Sequence, residues 1–335
     1  MGGLVSKKNT LHPRRKLPSR LRTYSHLTGE HRIPSDYEIV TSKLLYYPPR
    51  GFEVATPTDA WYATWQRGAK LAANDWDRFV DPRATTYALY AQIAHTRETY
   101  VDGVLRAVDD AGSDARLSPK QLAFLQRFFT PLRYPYHGLH MIAAYVAQMA
   151  PSGRIAVASL FQCGDEMRRI ERIAYRMVQI AQAFPGFGGE SRATWESDRA
   201  WQPMRELIKR LLVTWDWTEA LFVLNVIVKP ALESVTMQEL ARVSREQFAD
   251  ATLEALVFSF REDNEWHSAW ARAALRIALE NESTDSRKTF DAWREKWAPL
   301  AIQAASAYVG AFSDASKNDV AARAVDSTFE HLVQA

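Results

Sequence analysis

The sequence predicts an all-α chain led by a basic, extended N-terminal arm. Three observations carry this reading. From Thr56 onward no stretch of useful length alternates apolar and polar residues as a half-buried strand would. Thr56-Pro57 and Ser118-Pro119 each place a capping side chain directly before a proline, the pairing that opens helices. The segment Leu212 to Leu224, with Trp217, Leu221, Phe222 and Val223, is apolar on nearly every side, the mark of a helix buried all round.

Taken in order, residues 1–29 carry Lys7, Lys8, Arg14, Arg15, Lys16, Arg20 and Arg22 and no acid. The rest of the chain is therefore net acidic, although the whole is +3. Pro13 and Pro18 and the lack of helical period make the arm extended, and Tyr37 to Tyr47 is expected to be extended too. Residues 1–55 form this arm and 56–335 a single helical domain. Helices follow at 57–72, at 83–110 with a stop at Gly112, and from Pro119 to Ala150, where Pro131 or Pro135 should break or kink it. Next come 153–184, closed by the glycine-rich loop 184–189, then 203–229, ended or kinked by Pro230. A long helix or helix pair covers 236–280, and the last helices cover 287–312 and 317–333.

Composition narrows the class. With 47% apolar and 12% aromatic residues the chain is globular, and eleven tryptophans suit a core or a subunit interface. The lone Cys163 excludes an internal disulfide and a cysteine-rich metal site, so a reducing, cytoplasmic setting is the default. No apolar run of about 18 residues is expected to span a bilayer, and no apolar leader marks a secretory signal. The basic arm fits a partner-wrapping or solvated tail better than nucleic acid, because no aromatics interleave with its charges. Met1-Gly2-Gly3-Leu4-Val5-Ser6 matches the myristoylation pattern, one short enough to arise by chance.

The chemistry-bearing stretch is Glu262-Asp263-Asn264-Glu265-Trp266-His267. A di-iron four-helix bundle takes a lone Glu from each of two helices and Glu-x-x-His from each of two others. The i, i+3 spacing puts both ligands on one helical face. Read in helix order, the candidate positions are Glu98 and Glu219 as lone glutamates, Tyr134…His137 as the first pair and Asn264…His267 as the second. Both paired glutamates are replaced, by Tyr134 and Asn264. Two carboxylates and two neutral imidazoles make an undercharged cage for two ferrous ions. Asp263 is the carboxylate expected to orient His267. Arg133 beside Tyr134 opposes metal, and its guanidinium is expected to pair with Glu98, Glu219 or Asp263. Asp165-Glu166-Met167-Arg168-Arg169 repeats the spacing with Arg169 in place of histidine, but charges at 165–172 read as a solvated or interfacial face.

Several segments together carry a resemblance. They are Arg22-Thr23-Tyr24-Ser25-His26-Leu27, Asn74-Asp75-Trp76-Asp77 with Asp81-Pro82, Pro131-Leu132-Arg133-Tyr134, Ala144 to Pro151, Leu224 to Pro230, and His267-Ser268-Ala269-Trp270. From about residue 22 to 300 the chain resembles the β subunit of bacterial multicomponent monooxygenase hydroxylases, in the toluene, alkene and isoprene branch. The resemblance implies a ferritin-like bundle of the ribonucleotide-reductase-like superfamily, without iron or any other cofactor of its own and with no catalytic residue. It implies an α subunit holding the di-iron centre, a γ subunit and an (αβγ)2 assembly. An effector protein, a Rieske ferredoxin and an NADH reductase complete the system, which inserts one oxygen atom from O2 into an aromatic ring or an alkene. No nucleic-acid or membrane partner is expected, on the residue pattern given above. Two other readings stand beside the resemblance: a self-contained di-iron oxidase, and a helical binding module with a basic arm.

Overall fold

The computed structural model describes residues 24, 27, 32–42, 56–281, 285–313 and 318–334, and among these there is helix but no strand. The all-α expectation and the ferritin-like bundle hold. The remainder of the basic arm and residues 43–55 lie outside the described residues.

The first element corrects an expectation. Asp36–Thr41 is a helix, α1, where extended chain was expected. Ser35 accepts from Glu38 N while the Glu38 carboxylate accepts from Ser35 N, a reciprocal cap that holds even a six-residue helix. Tyr37 is buried, and its hydroxyl accepts from Asp81 N at 3.0 Å. The second start falls where the cap-proline pair put it. Helix α2, Pro57–Tyr62, is capped by Thr56 and Asp59 and runs on through a π turn at Ala63–Arg67.

Helix α3 covers Tyr87–Asp110, and Gly112 beyond it takes φ +57°, a left-handed stop that glycine adopts without penalty. Pro119–Phe124 (α4) follows, capped by Ser118. The chain then passes through a π turn, Leu125–Phe129, and a 3-10 turn, Thr130–Leu132, into α5, Arg133–Met149. Pro131 and Pro135 thus fall where the winding changes, and Pro135 lies in the first turn of α5, whose N–H groups lack intrahelical acceptors. Helix α6 covers Gly153–Ala183 and packs along α5. Short α7 (Ser191–Ser197) leads to α8 (Gln202–Leu212).

The expected helix 203–229 is two helices. The chain breaks after Leu212, and Asp216 starts α9, its carboxylate accepting from Thr218 N and Glu219 N at 2.9 and 3.2 Å. Helix α9 then runs unbroken from Trp217 to Phe248, so Pro230 does not end it. A π stretch, Val223–Val228, precedes the proline and a second, Glu233–Met237, follows it. A π turn leaves the i−4 carbonyl pattern that a helical proline would violate. Every residue from Trp217 to Lys229 is buried, as the all-round apolar pattern requires. By length and composition α9 could cross a bilayer, contrary to the expectation that no run is long enough. Its apolar surface is used inside the fold, since 83% of its most hydrophobic window is buried.

Left-handed Ala249 (φ +55°) separates α9 from α10, Thr252–Leu279. Helices α11 (Ser286–Val309) and α12 (Asn318–Val333) pack against α9, which lies at the centre. The core is one continuous apolar cluster that includes Trp201, Trp217, Trp270, Trp297 and Tyr308. Asp81 ties the α2–α3 connection to α10: its carboxylate accepts from Trp266 Nε1 at 2.8 Å and from Arg83 N and Thr85 N, and the Arg83 guanidinium lies 4.0 Å over the Trp266 ring.

Candidate functional site, a buried ion-pair cluster

The charged run on α6 is the heart of the bundle, not a solvated face. Asp165, Glu166, Arg168 and Arg169 are all buried, Glu166 and Arg169 completely. A 31-residue helix turns one face to the centre, and residues 165, 166, 169 and 172 fall on or beside it. Charges can sit there because they meet opposite charges from α3, α9 and α10 in an outer and an inner layer.

In the outer layer Asp263 of α10, fully buried, is paired with Arg97 of α3 and Arg168 of α6. Arg168 also donates to Glu98 Oε1 and Ser259 Oγ, each at 3.0 Å, and Arg172 holds the other side of Glu98 and Asp102. In the inner layer the Arg169 guanidinium contacts Glu233 of α9, lies 3.3 Å from Glu166 Oε2, and donates to Asn264 Oδ1 at 2.5 Å and Phe260 O at 3.0 Å. Lys229 of α9 pairs with Glu166 Oε1. His267 Nε2 is 2.9 Å from Asp165 Oδ2, and its Nδ1 is 3.7 Å from Glu166 Oε1 with no hydrogen-bond partner.

These contacts set the ionisation. Burial acts to raise the Glu166 carboxyl, but Arg169 and Lys229 outweigh it and hold the group below its usual range, hence ionised. Burial, then the Lys229 charge, pushes His267 well below an ordinary histidine, so its ring is neutral. Burial raises Asp165. Burial acts to lower Arg169, yet Glu166 and Glu233 hold it above the usual arginine range.

Of the positions read from sequence, Asn264 and His267 belong to the inner layer of this cluster and Glu98 and Asp263 to its outer layer. The others do not. Tyr134 stacks on Trp195 with ring centres 5.9 Å apart, and His137 is exposed and stacks on His140. Glu219 is buried elsewhere, accepting from Lys296 Nζ at 2.7 Å and Trp297 Nε1 at 2.8 Å. Arg133 pairs with none of Glu98, Glu219 or Asp263. It donates to Ser191 Oγ at 2.6 Å and Tyr134 OH at 3.3 Å. Asp263 does not orient His267, since Asp165 on the neighbouring helix does. The structure instead brings Glu166 and Arg169 of α6 together with Asn264 and His267 of α10 and Glu233 of α9, two i, i+3 pairs and a lone glutamate. The spacing of Glu166 and Arg169 was visible in the sequence, as was the reason for setting it aside, a charge-rich run.

Glu166, Glu233 and His267 have the donor types of a metal site, but two cations lie among them. The residues present do not fit a metal: the Arg169 guanidinium and Lys229 ammonium already occupy the space and charge between the carboxylates.

Fold and site together define a ferritin-like helical bundle whose interior is held by ion pairs between its helices. The model of the methane/phenol/alkene hydroxylase family matches residues 55–282. The β subunit of the toluene-4-monooxygenase hydroxylase component of Ectopseudomonas mendocina is 34% identical over 300 residues, 88% of this chain and 91% of that one. The small subunit of the propane 2-monooxygenase hydroxylase component of Gordonia sp. (strain TY-5) is 23% identical over 85% of this chain and 80% of its own. A chain of the structure of toluene bound in resting toluene 4-monooxygenase superposes with a TM-score of 0.80 at 34% identity, covering 86% of this chain and 96% of that one. A chain of phenol hydroxylase from Pseudomonas sp. OX1 shares the fold, with a TM-score of 0.81 at 20% identity and 98% of both chains covered. The chain belongs to the methane/phenol/alkene hydroxylase family, as a β-type structural subunit of a multicomponent monooxygenase hydroxylase.

Proposed function

We propose that this subunit carries no active site and no iron of its own, and that it supports an α subunit in which a di-iron centre performs the oxygenation. The observation that carries this reading is the placement of Arg169, a fixed cation donating to Glu233 and Asn264 where a bundle of this class would coordinate metal. The assembly is an (αβγ)2 hydroxylase served by an effector protein, a Rieske ferredoxin and an NADH reductase. Its reaction is insertion of one oxygen atom from O2 into an aromatic or alkene hydrocarbon. The identity to the toluene-4-monooxygenase subunit favours the aromatic class. The setting is cytoplasmic.

The surface supports the scaffold role. Of the 24 residues of α3 only Val101 and Leu105 are buried, leaving a long face unpartnered among the described residues. Tyr87 and Tyr100 on α3, Tyr175 and Val178 on α6 and Phe258 on α10 are exposed, and the Tyr100 and Phe258 rings meet edge-on at 5.8 Å. Exposed aromatics of this kind suit the apolar centre of an obligate interface, which buries about 2,000 Å² or more. The test is metal analysis of the hydroxylase after its subunits are separated. Iron confined to the α subunit supports the reading. About two irons per copy of this chain would overturn it in favour of a self-contained oxidase.

A further inference from the structure

A cleft of about 450 Å³ opens between α9, α10 and α12, and most of its charged groups are already spent. Glu233 in its wall contacts Arg169 and lies 3.8 Å from Lys229 Nζ. Exposed Arg261 stacks 5.3 Å over the Phe258 ring and lies 3.8 Å from Glu265 Oε1. Arg272 is different. It is part-buried in the cleft wall, and among the described residues its guanidinium has no ion pair, no hydrogen bond and no ring beneath it. Burial, then repulsion from Arg276, pushes it below the usual arginine value, and no acid opposes the two. Arg276 itself is occupied, donating to the carbonyls of His331 and Leu332 at the end of α12. A desolvated cation without a counter-charge is costly. The counter-charge that Arg272 lacks has to come from outside the chain. Further donors lie in the same walls. Ser268 stands one turn before Arg272 on the same face of α10, and neither its hydroxyl nor that of Ser327 on α12 has a partner among the described residues. Asn264 gives its Oδ1 to Arg169, which leaves its amide N–H groups for the cleft.

We infer that this cleft binds a small organic monocarboxylate, its two oxygens forked on the Arg272 guanidinium and its carbon body against Pro230, Val257 and Ala324. The planar guanidinium matches a carboxylate oxygen for oxygen, and Ser268 supplies a further donor on the same helical face. Glu233 and Glu265 in the walls repel a polyanion, which sets a singly charged carboxylate above phosphate. The apolar walls and the volume suit an acid of the size of benzoate. The site is separate from the ion-pair cluster, whose charges are satisfied from within the chain, and it does not depend on the reading of this subunit as iron-free.

The test is equilibrium dialysis of radiolabelled benzoate against the assembled hydroxylase at fixed ionic strength. Wild type is compared with Arg272→Gln and with Lys209→Gln, which makes the same charge change at an exposed position of α8 outside the cleft. The expected result is a saturable benzoate site on each copy of this chain that Arg272→Gln weakens by about ten-fold or more and Lys209→Gln leaves unchanged. Benzoate bound elsewhere in the assembly is common to all three proteins and cancels. Arg272→Lys, which keeps the charge but not the fork, should recover part of the affinity. Equal binding by wild type and Arg272→Gln overturns the inference, as does displacement from this site by phosphate as readily as by unlabelled benzoate. Thermal unfolding without benzoate supplies the second measurement. Arg272→Gln should melt at or above the wild-type midpoint, because it breaks no ion pair. A variant that melts several degrees lower, or fails to assemble, would show that the guanidinium already has its counter-charge within the hydroxylase, and would equally overturn the site.

Discussion

Replacing Arg169 with methionine removes the cation on which the inner cluster closes while keeping a side chain of similar reach. Arg169 Nη1 is 3.3 Å from Glu166 Oε2, and both groups are completely buried. At an effective dielectric constant near 20 that pair alone is worth about 5 kcal/mol of Coulomb attraction. The net loss is smaller because wild type also bears the cost of desolvating the ions, and removing one partner of a buried pair typically costs about 3–5 kcal/mol. Asn264 Oδ1 and Phe260 O lose a donor as well. Glu166 then keeps only Lys229 as a charged neighbour of the two that lower it. A carboxyl held low when folded contributes stability that is complete above its unfolded pKa and is lost as pH falls through the folded one. Removing Arg169 raises the folded value, so the variant should also unfold at higher pH on acidification. Urea titration of the full chain, or of the hydroxylase if the chain requires its partners, measures the first effect, and an acid titration the second. Neutralising the acid too, in Arg169→Met/Glu166→Gln, should recover at least about 1.5 kcal/mol, since the stranded charge is what costs most. A loss under about 1 kcal/mol for the single variant, or strict additivity in the double, would show that Arg169 is not the charge partner described above.

Other substitutions test other levels of the structure. Asp216→Ala removes the start of α9, which accepts from Thr218 N, Glu219 N and Lys70 N, and should cost about 1–2 kcal/mol by denaturant titration. Trp270→Ala empties a fully buried site against Phe79 and should cost about 3–5 kcal/mol, measured in the same way. Gly103 sits within α3, and a Cβ there would meet nothing within 4 Å. Gly103→Ala should therefore stabilise the chain against heat by about 0.5–1 kcal/mol. Gly103→Trp should leave that midpoint near wild type while reducing co-purification with the partner subunits, if the open face of α3 is an interface.

Much of the fold could be read from local signals because those signals are local in origin. A capping side chain before proline, or a glycine needed at positive φ, acts within a single turn, and Thr56, Ser118 and Gly112 all marked real ends. The break before Asp216 was missed because the apolar run continues across it, and nothing apolar distinguishes a cap from an interruption. Pro230 misled for the opposite reason, since a π turn next to it is a backbone adjustment with no side-chain signature. The candidate site was half legible. Asn264 and His267 stand out by spacing, but the pair that faces them is Glu166 and Arg169, not Tyr134 and His137. Residues 165–172 look solvated in one dimension because burial of a charge depends on its partner, and these partners are 64 to 95 residues away, at Glu233, Asp263 and Asn264.

The two π stretches of α9 bear on the phase of the helix. Each widens the turn, so six residues there rotate the chain about as far as five in regular α-helix, and the stretch absorbs one extra residue with little change of phase beyond it. Lys229 and Glu233 lie directly after the first stretch, Val223–Val228. Excising a single residue there would restore regular winding and leave both side chains facing α6 in nearly the same phase, whereas the same excision from a regular α segment would turn them by about 100°. The angular setting of the cluster thus tolerates a one-residue difference in chain length at these two stretches and nowhere else along a regularly wound helix. Relatives that differ by one residue in this segment should be compared by phase before they are compared by residue.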